Sequence, residues 1–369
     1  MAPWVCTELM SDRVEHGAAW SGGEATRNAR GSLWRALDEV LDRAPTADDL
    51  RAHRLHLLAA QRLRVLGHAI PNEFVAAERL AAGVTLAAEI ALERAREAYD
   101  GTLVLMKGLE VAQRYPSPTL RPFRDLDLLV DRPHQAQRAL IAAGFEPVGP
   151  EDRFYEDKHH LRPLLLPGLP VLVELHRRPA WISWAPPPST AELLSDAVDS
   201  ATTISGVLAP SPAHHALLLA AHAWMGTPLR RILDLVDTTV VSQEADPVEL
   251  WDAARRWQLD GVWQATKASA DAVLFGAPSL PWHVQLWAGR VSSVRDRTLF
   301  RDHVVRLLSP FSVLPADRAL RVAVQALGRA LRPAADETWG LKAARVRRAL
   351  KNASERVSIH DQIPGEERS

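Results

Sequence analysis

A single cysteine, Cys6, stands in 369 residues, which excludes an intramolecular disulfide and any cysteine-rich zinc module and fits a reducing compartment. No apolar run approaches the roughly 20 residues that span a bilayer. The first residues, MAPWVCTELMSDRVEH, hold no basic leader followed by an apolar stretch. Neither secretion nor membrane insertion is expected, and the expected location is the cytoplasm. An excess of one charge is missing too: 44 Lys and Arg balance 45 Asp and Glu. Bulk nucleic-acid binding therefore has no electrostatic footprint here. Repeats and low-complexity tracts are also absent. What remains is a chain long enough for two or three structural units with a sizeable core.

Residues 1–30 are polar and aperiodic and read as a disordered arm before a first helix near Ser32 to Leu41. Thr46 followed by Asp49 is a helix-start signal, and Leu55, Ala59, Leu63 and Leu66 then recur at helical spacing. After Pro71-Asn72 a second stripe runs from Phe74 to Ala95. Residues 31–100 thus form a helical region. The period changes at Thr102 to Met106, a β-favouring run that ends at Lys107-Gly108. A helical segment and the loop Tyr115-Pro116-Ser117-Pro118 lead to a second strand, Asp125 to Val130. Asp131 is placed to cap a helix entered through Pro133, and Gly144 ends that helix before a strand at Phe145 to Val148. One more strand, Val171 to His176, completes an α/β core over 101–188. Trp184-Ala185-Pro186-Pro187-Pro188 marks a boundary, 189–355 is helical, and 356–369 is a frayed tail.

The chemistry concentrates on the two longer strands. In Asp125-Leu126-Asp127-Leu128-Leu129-Val130, alternation sends both carboxylates to one face and Leu126, Leu128 and Val130 to the other. Crowded carboxylates raise each other's pKa unless a cation neutralises them, and hard divalent ions bind through carboxylate oxygens. Glu174 adds a third carboxylate and shares its face with His176. Three carboxylates are enough to hold the divalent ions that nucleotidyl transfer uses. Gly108, in a turn that opens a helix, offers backbone N–H groups to a triphosphate, and Lys107 and Arg121 add positive charge. The ordered set of strand, glycine turn, helix, Asp-x-Asp strand, helix and acidic strand is far more specific than any one piece.

Those motifs, with Ser211-Pro212, His222 and Leu229-Arg230-Arg231-Ile232-Leu233-Asp234 further on, resemble the bacterial uncharacterised nucleotidyltransferase family of the DNA polymerase β superfamily over roughly residues 50–240. The resemblance implies an α+β protein, a polymerase-β-like α/β core flanked by N-terminal and C-terminal helical regions, with a cleft between sheet and helices. It implies Asp125, Asp127 and Glu174 as the catalytic carboxylates and ligands of Mg2+ or Mn2+. It also implies Lys107, Gly108, Arg121, His176, Arg230 and Asp234 as nucleotide-binding residues. The substrate would be an NTP, with ATP the first choice, and the acceptor a peptide, protein, RNA or small molecule. Peptide natural-product modification is a setting the resemblance suggests. The superfamily shows Gly-Gly or Gly-Ser where this chain has Lys107-Gly108, and the gap to Asp125 is longer here.

Two rival readings keep the same residues: phosphoryl or pyrophosphoryl transfer at this site, and a non-catalytic module that binds NTP and a partner. Several side chains carry two readings as well. His176 serves either phosphate or acceptor, or is a hydrogen-bonded structural histidine. Arg230, Arg231 and Asp234 either cover the nucleotide or form salt bridges. Adjacent His159 and His160 are expected to point to opposite faces of a strand and not to act together. His215 and His222 read as packing residues on one helix face. Trp181, Trp184, Trp224, Trp251, Trp257 and Trp263 read mainly as packing, and the basic segment Lys342 to Arg356 reads as solvated.

Overall fold

The computed structural model describes residues 24–42, 46–225, 228–277, 299–333 and 338–351. Two compact units share the chain. The first combines Met1–Asp38, Leu57–Arg177 and Leu194–Ser211, and the second combines Glu39–His56, Arg178–Leu193 and Pro212–Ser369.

The opening helix, α1 (Glu24–Asp42), starts earlier than the Ser32 expected from periodicity. Its first turns are rich in Glu, Ala and Arg, which favour helix without adding an apolar stripe. Residues 1–23 of the expected arm, and the tail at 356–369, lie outside the described residues. Thr46 caps α2 (Ala47–Ala52): its hydroxyl oxygen accepts the Asp49 N–H at 3.2 Å. The single helix expected beyond it is two, because Arg54 takes a positive φ of 58° and the Leu55 N–H closes back on the Leu50 carbonyl at 2.8 Å. The chain then resumes as α3 (His56–Val65) and α4 (Asn72–Ala98).

The first unit is built on a seven-stranded sheet of order β3-β4-β5-β2-β1-β7-β6. Its strands are β1 (Leu103–Leu105), β2 (Asp125–Val130), β3 (Glu146–Pro147), β4 (Leu164–Leu165), β5 (Leu172–His176), β6 (Val198–Asp199) and β7 (Leu208–Ala209). Between β1 and β2 lies α5 (Leu109–Ala112), and after β2 comes α6 (Pro133–Ala142). β2 pairs antiparallel with β1 and parallel with β5. The apolar face carries Leu126, Leu128, Val130, Val173 and Leu175, packed in one cluster with Val84, Ala88, Ala91 and Leu92 of α4 and Ala136 and Leu140 of α6. Alanines on α4 let that helix approach the sheet closely, which is how a close-packed core is reached with small side chains. β6 and β7 come from beyond the Pro-rich stretch, where the sequence reading had ended the core at 188. Two-residue strands leave no alternation to detect. Asp131 does not cap α6, whose N-cap is Arg132 without a side-chain bond; its carboxylate accepts the Tyr99 hydroxyl instead.

A buried ion pair braces the turn after β1. Glu110, fully buried on α5, takes the Arg114 guanidinium at 2.7 Å, the Ala201 N–H at 3.1 Å and the Ser200 hydroxyl. The carboxylate thereby pins the segment leading to β7 against the turn that precedes β2.

A short helix, α7 (Thr190–Ser195), precedes β6, and in the second unit α8 (Pro212–Ala223), α9 (Ile232–Ser242), α10 (Pro247–Arg256) and α11 (Asp260–Phe275) pack on one another. Trp224 donates its indole N–H to Thr266 at 2.9 Å, and the Trp181 and Trp257 rings meet edge to face at 5.9 Å. These tryptophans are buried packing residues, as the sequence suggests. His215 is buried but His222 is exposed, so only one of that pair packs inward. His53, buried after α2, caps α9: its Nδ1 accepts the Ile232 N–H at 3.2 Å, where Arg231 offers no side-chain cap. Further along lie α12 (Leu299–Leu308), α13 (Ala316–Leu331) and the basic α14 (Trp339–Lys351). No helix among the described residues is long and apolar enough to cross a membrane.

Arg114→Met leaves the Glu110 carboxylate buried without its cation, a change expected to remove about 3 kcal/mol or more of stability. Urea unfolding followed by far-UV dichroism measures it, and a loss below about 1 kcal/mol would mean the pair is not a brace.

Candidate active site

The polar face of the sheet centres on a cross-strand pair. The β2–β5 register sets Asp127 opposite Glu174 and Leu129 opposite His176. Like charges placed directly opposite repel. His176 answers that repulsion: its Nε2 lies 2.8 Å from Asp127 Oδ1 and 3.6 Å from Glu174 Oε2. Burial pushes its pKa down, but the hydrogen bonds and charges of the two carboxylates outweigh burial and raise it from 6.5 to about 9. The imidazolium thus places a positive charge against both carboxylates.

Asp125 stands beside this group on the same strand face. Burial first, then repulsion from Asp127 and Glu174, raise its pKa from 3.8 to about 6, and Lys107 and Arg121 pull it part of the way back. Both cations therefore lie within electrostatic reach of Asp125. Arg121 is buried and donates from Nη1 to the Gly108 carbonyl at 3.2 Å.

Gly108 has a structural reason to be glycine. Its φ is +64°, and a Cβ added there would lie 2.4 Å from the Asp125 carbonyl oxygen. The turn is pressed against the strand that carries the carboxylates, and the Met106 N–H bonds the Asp127 carbonyl at 2.9 Å just before it. The helix that follows is the single turn α5, so its dipole comes from one turn of aligned peptides.

His159 and His160 depart from the sequence expectation. An isolated antiparallel bridge pairs His160 with His176, and the three imidazoles form one cluster, with ring centroids 4.8 Å apart for His159 and His160, 5.2 Å for His159 and His176, and 5.6 Å for His160 and His176. A lone bridge outside a strand does not impose strict alternation, which is why the adjacent pair is not split between two faces. Nothing in the local pattern signals this, since the contact depends on the pairing of residues around 160 with β5.

Arg230 and Asp234 belong to the second unit, Arg230 just before α9 and Asp234 in its first turn.

The donor set suits a divalent cation. Among the described residues, Asp127, Glu174 and His176 each offer a ligand atom, all within 4.8 Å of one another. Two carboxylates and an imidazole match borderline and hard divalent ions.

The family described as uncharacterised nucleotidyltransferase matches residues 47–270, a span holding the whole sheet and α8 to α10. No curated protein and no solved structure matches the chain.

Two predictions follow from this geometry. Gly108→Ala combines the disfavoured backbone conformation, costing about 1–3 kcal/mol, with the overlap on the Asp125 carbonyl, so a clear drop in melting temperature is expected; an unchanged one would rule out the close approach. In metal-free protein the His176 proton is held more tightly folded than unfolded. Its stabilisation is therefore complete below pH 6.5 and lost as pH rises through about 9. Against His176→Gln, wild type is expected to lose on the order of 2–3 kcal/mol of relative stability across that window. Parallel pH profiles for the two proteins would refute it.

Proposed function

This chain belongs to the uncharacterised nucleotidyltransferase family, and we propose that it transfers a nucleotidyl group, AMP from ATP, to an acceptor oxygen. The acceptor oxygen bonds to the α-phosphorus, the bond from that phosphorus to the β-phosphate bridge oxygen breaks, pyrophosphate leaves, and the acceptor gives up its proton. The observation that carries this reading is the in-register pair of Asp127 and Glu174, flanked by Asp125, on the sheet face of a chain of this family.

In this scheme Asp125, Asp127 and Glu174 hold the cation, with Glu174 toward the acceptor. A divalent ion bound there, Mg2+ or Mn2+, supplies Lewis-acid charge to the α-phosphoryl and attacking oxygens. Lys107 and Arg121 give the triphosphate positive charge, and Arg121 also steadies the Gly108 carbonyl. Gly108 keeps side-chain bulk away from the carboxylate strand. His176 orients Asp127 through their 2.8 Å contact. Arg230 and Asp234 are assigned to the nucleotide by family resemblance. The same resemblance points to peptide natural-product modification as the setting, with the acceptor a peptide, protein, RNA or small molecule.

The test is label transfer from α-labelled ATP into cell extract with Mg2+ or Mn2+, compared with Asp125→Ala/Asp127→Ala. Label in one acceptor class, absent with the double variant, is the expected result. Asp127→Asn, which keeps the shape of the side chain, is expected to fold normally and lose about 100-fold or more of the activity, the scale of several kcal/mol of charge stabilisation. Transfer only from γ-labelled ATP would replace nucleotidyl by phosphoryl transfer, and a fully active Asp127→Asn would remove the assignment.

A further inference from the structure

Gly83 stands in the interior of α4, a 27-residue helix. Glycine there is destabilising relative to alanine, and a Cβ added at Gly83 would meet no atom within 4 Å, so packing within the molecule gives no reason for its absence. A bare helix surface does permit another backbone to come close. Leu86 and Ile90 follow Gly83 at spacings of three and four residues, which puts all three on one face. With Leu80 at its edge, that face is apolar and open: Leu80, Leu86 and Ile90 are 53%, 60% and 43% exposed. The opposite side of α4 is already committed, since Val84, Ala88, Ala91 and Leu92 pack in the cluster on the apolar face of the sheet. Charges flank the open stripe, with Arg79 before it and Glu89 and Glu93 along its second half. No ion pair among the described residues uses any of the three, and the two glutamates, four residues apart, repel each other.

We propose that this face of α4 docks a second copy of the chain, with α4 packed antiparallel on its counterpart about a twofold axis midway between Gly83 and Leu86. Such an interface is isologous, so every contact is made twice. Leu86 of one protomer then stands level with the partner's Gly83 and occupies the space its missing side chain leaves. Arg79 stands level with the partner's Ile90, covers it with its methylene stem, and places its guanidinium between the partner's Glu89 and Glu93. A parallel pair would set Arg79 against Arg79 and Glu93 against Glu93, so charge selects the antiparallel arrangement. Because α4 packs on the apolar face of the sheet, the face that carries Asp125, Asp127 and Glu174 stays open in both protomers. One helix pair is a small interface, and a dissociation constant on the order of micromolar is expected.

The experiment is sedimentation velocity on the full-length protein, with far-UV dichroism at the lowest concentration to show that each variant folds. Wild type is expected to pass from monomer to dimer between about 1 and 100 µM. Leu86→Glu changes an exposed side chain, so its fold is kept, and it is expected to stay monomeric because the dimer would bury an unpaired charge at its centre. Arg79→Glu sets like charges against each other and is expected to raise the dissociation constant about tenfold or more. The exchange Arg79→Glu/Glu89→Arg/Glu93→Arg is expected to bring it back to within about threefold of wild type, a recovery that requires reciprocal contact between two copies of α4. A dimer that survives Leu86→Glu, or an exchange variant no tighter than Arg79→Glu, would overturn the proposal. Wild type that is monomeric across the whole range would overturn it too, and would leave the face to a different protein or to another segment of this chain. None of the substituted residues belongs to the carboxylate site, so each of these outcomes leaves the nucleotidyl-transfer reading untouched.

Discussion

The repulsion between Asp127 and Glu174 is the constraint around which the first unit is arranged. Parallel pairing of β2 with β5 forces the two carboxylates together, at a point where the other faces of both strands are committed to the core through Leu126, Leu128, Val173 and Leu175. Neither strand can turn its acids away without exposing that apolar set, because a one-residue slip exchanges the faces. Hydrophobic burial thus keeps the like charges in place, and His176 keeps them tolerable when no cation is present.

Around that pair the supports are layered. Arg121 holds the Gly108 carbonyl, Gly108 touches the backbone of Asp125, and Glu110 with Arg114 ties the same turn to the segment before β7. A buried ion pair is a weak source of net stability; its geometric role here is clearer, since it fixes one conformation of a turn that has only a single helical turn behind it.

The alternation in Asp125 to Val130 and Leu172 to His176 made the two main strands and their polar face readable, because each is long enough for period two to stand out. The family resemblance rested on the same residues and agrees with the match over 47–270. The short strands β6 and β7 were hidden, as two residues carry no period. So was the break at Arg54, where a non-glycine residue adopts a positive φ. The glycine turn at Gly108 is visible in the sequence, whereas its close approach to Asp125 is a tertiary fact. The histidine cluster is hidden for the same reason: which neighbours His159 and His160 meet is decided by pairing with β5, and no local rule reports it.

Between β2 and β5 the chain makes an excursion that carries α6, β3, β4 and the His159–His160 pair before it returns to place Glu174 beside Asp127. The carboxylates are held by the two central strands, whereas His160 is held by the excursion. Descent with modification can therefore lengthen, shorten or recolour that excursion without moving the acids.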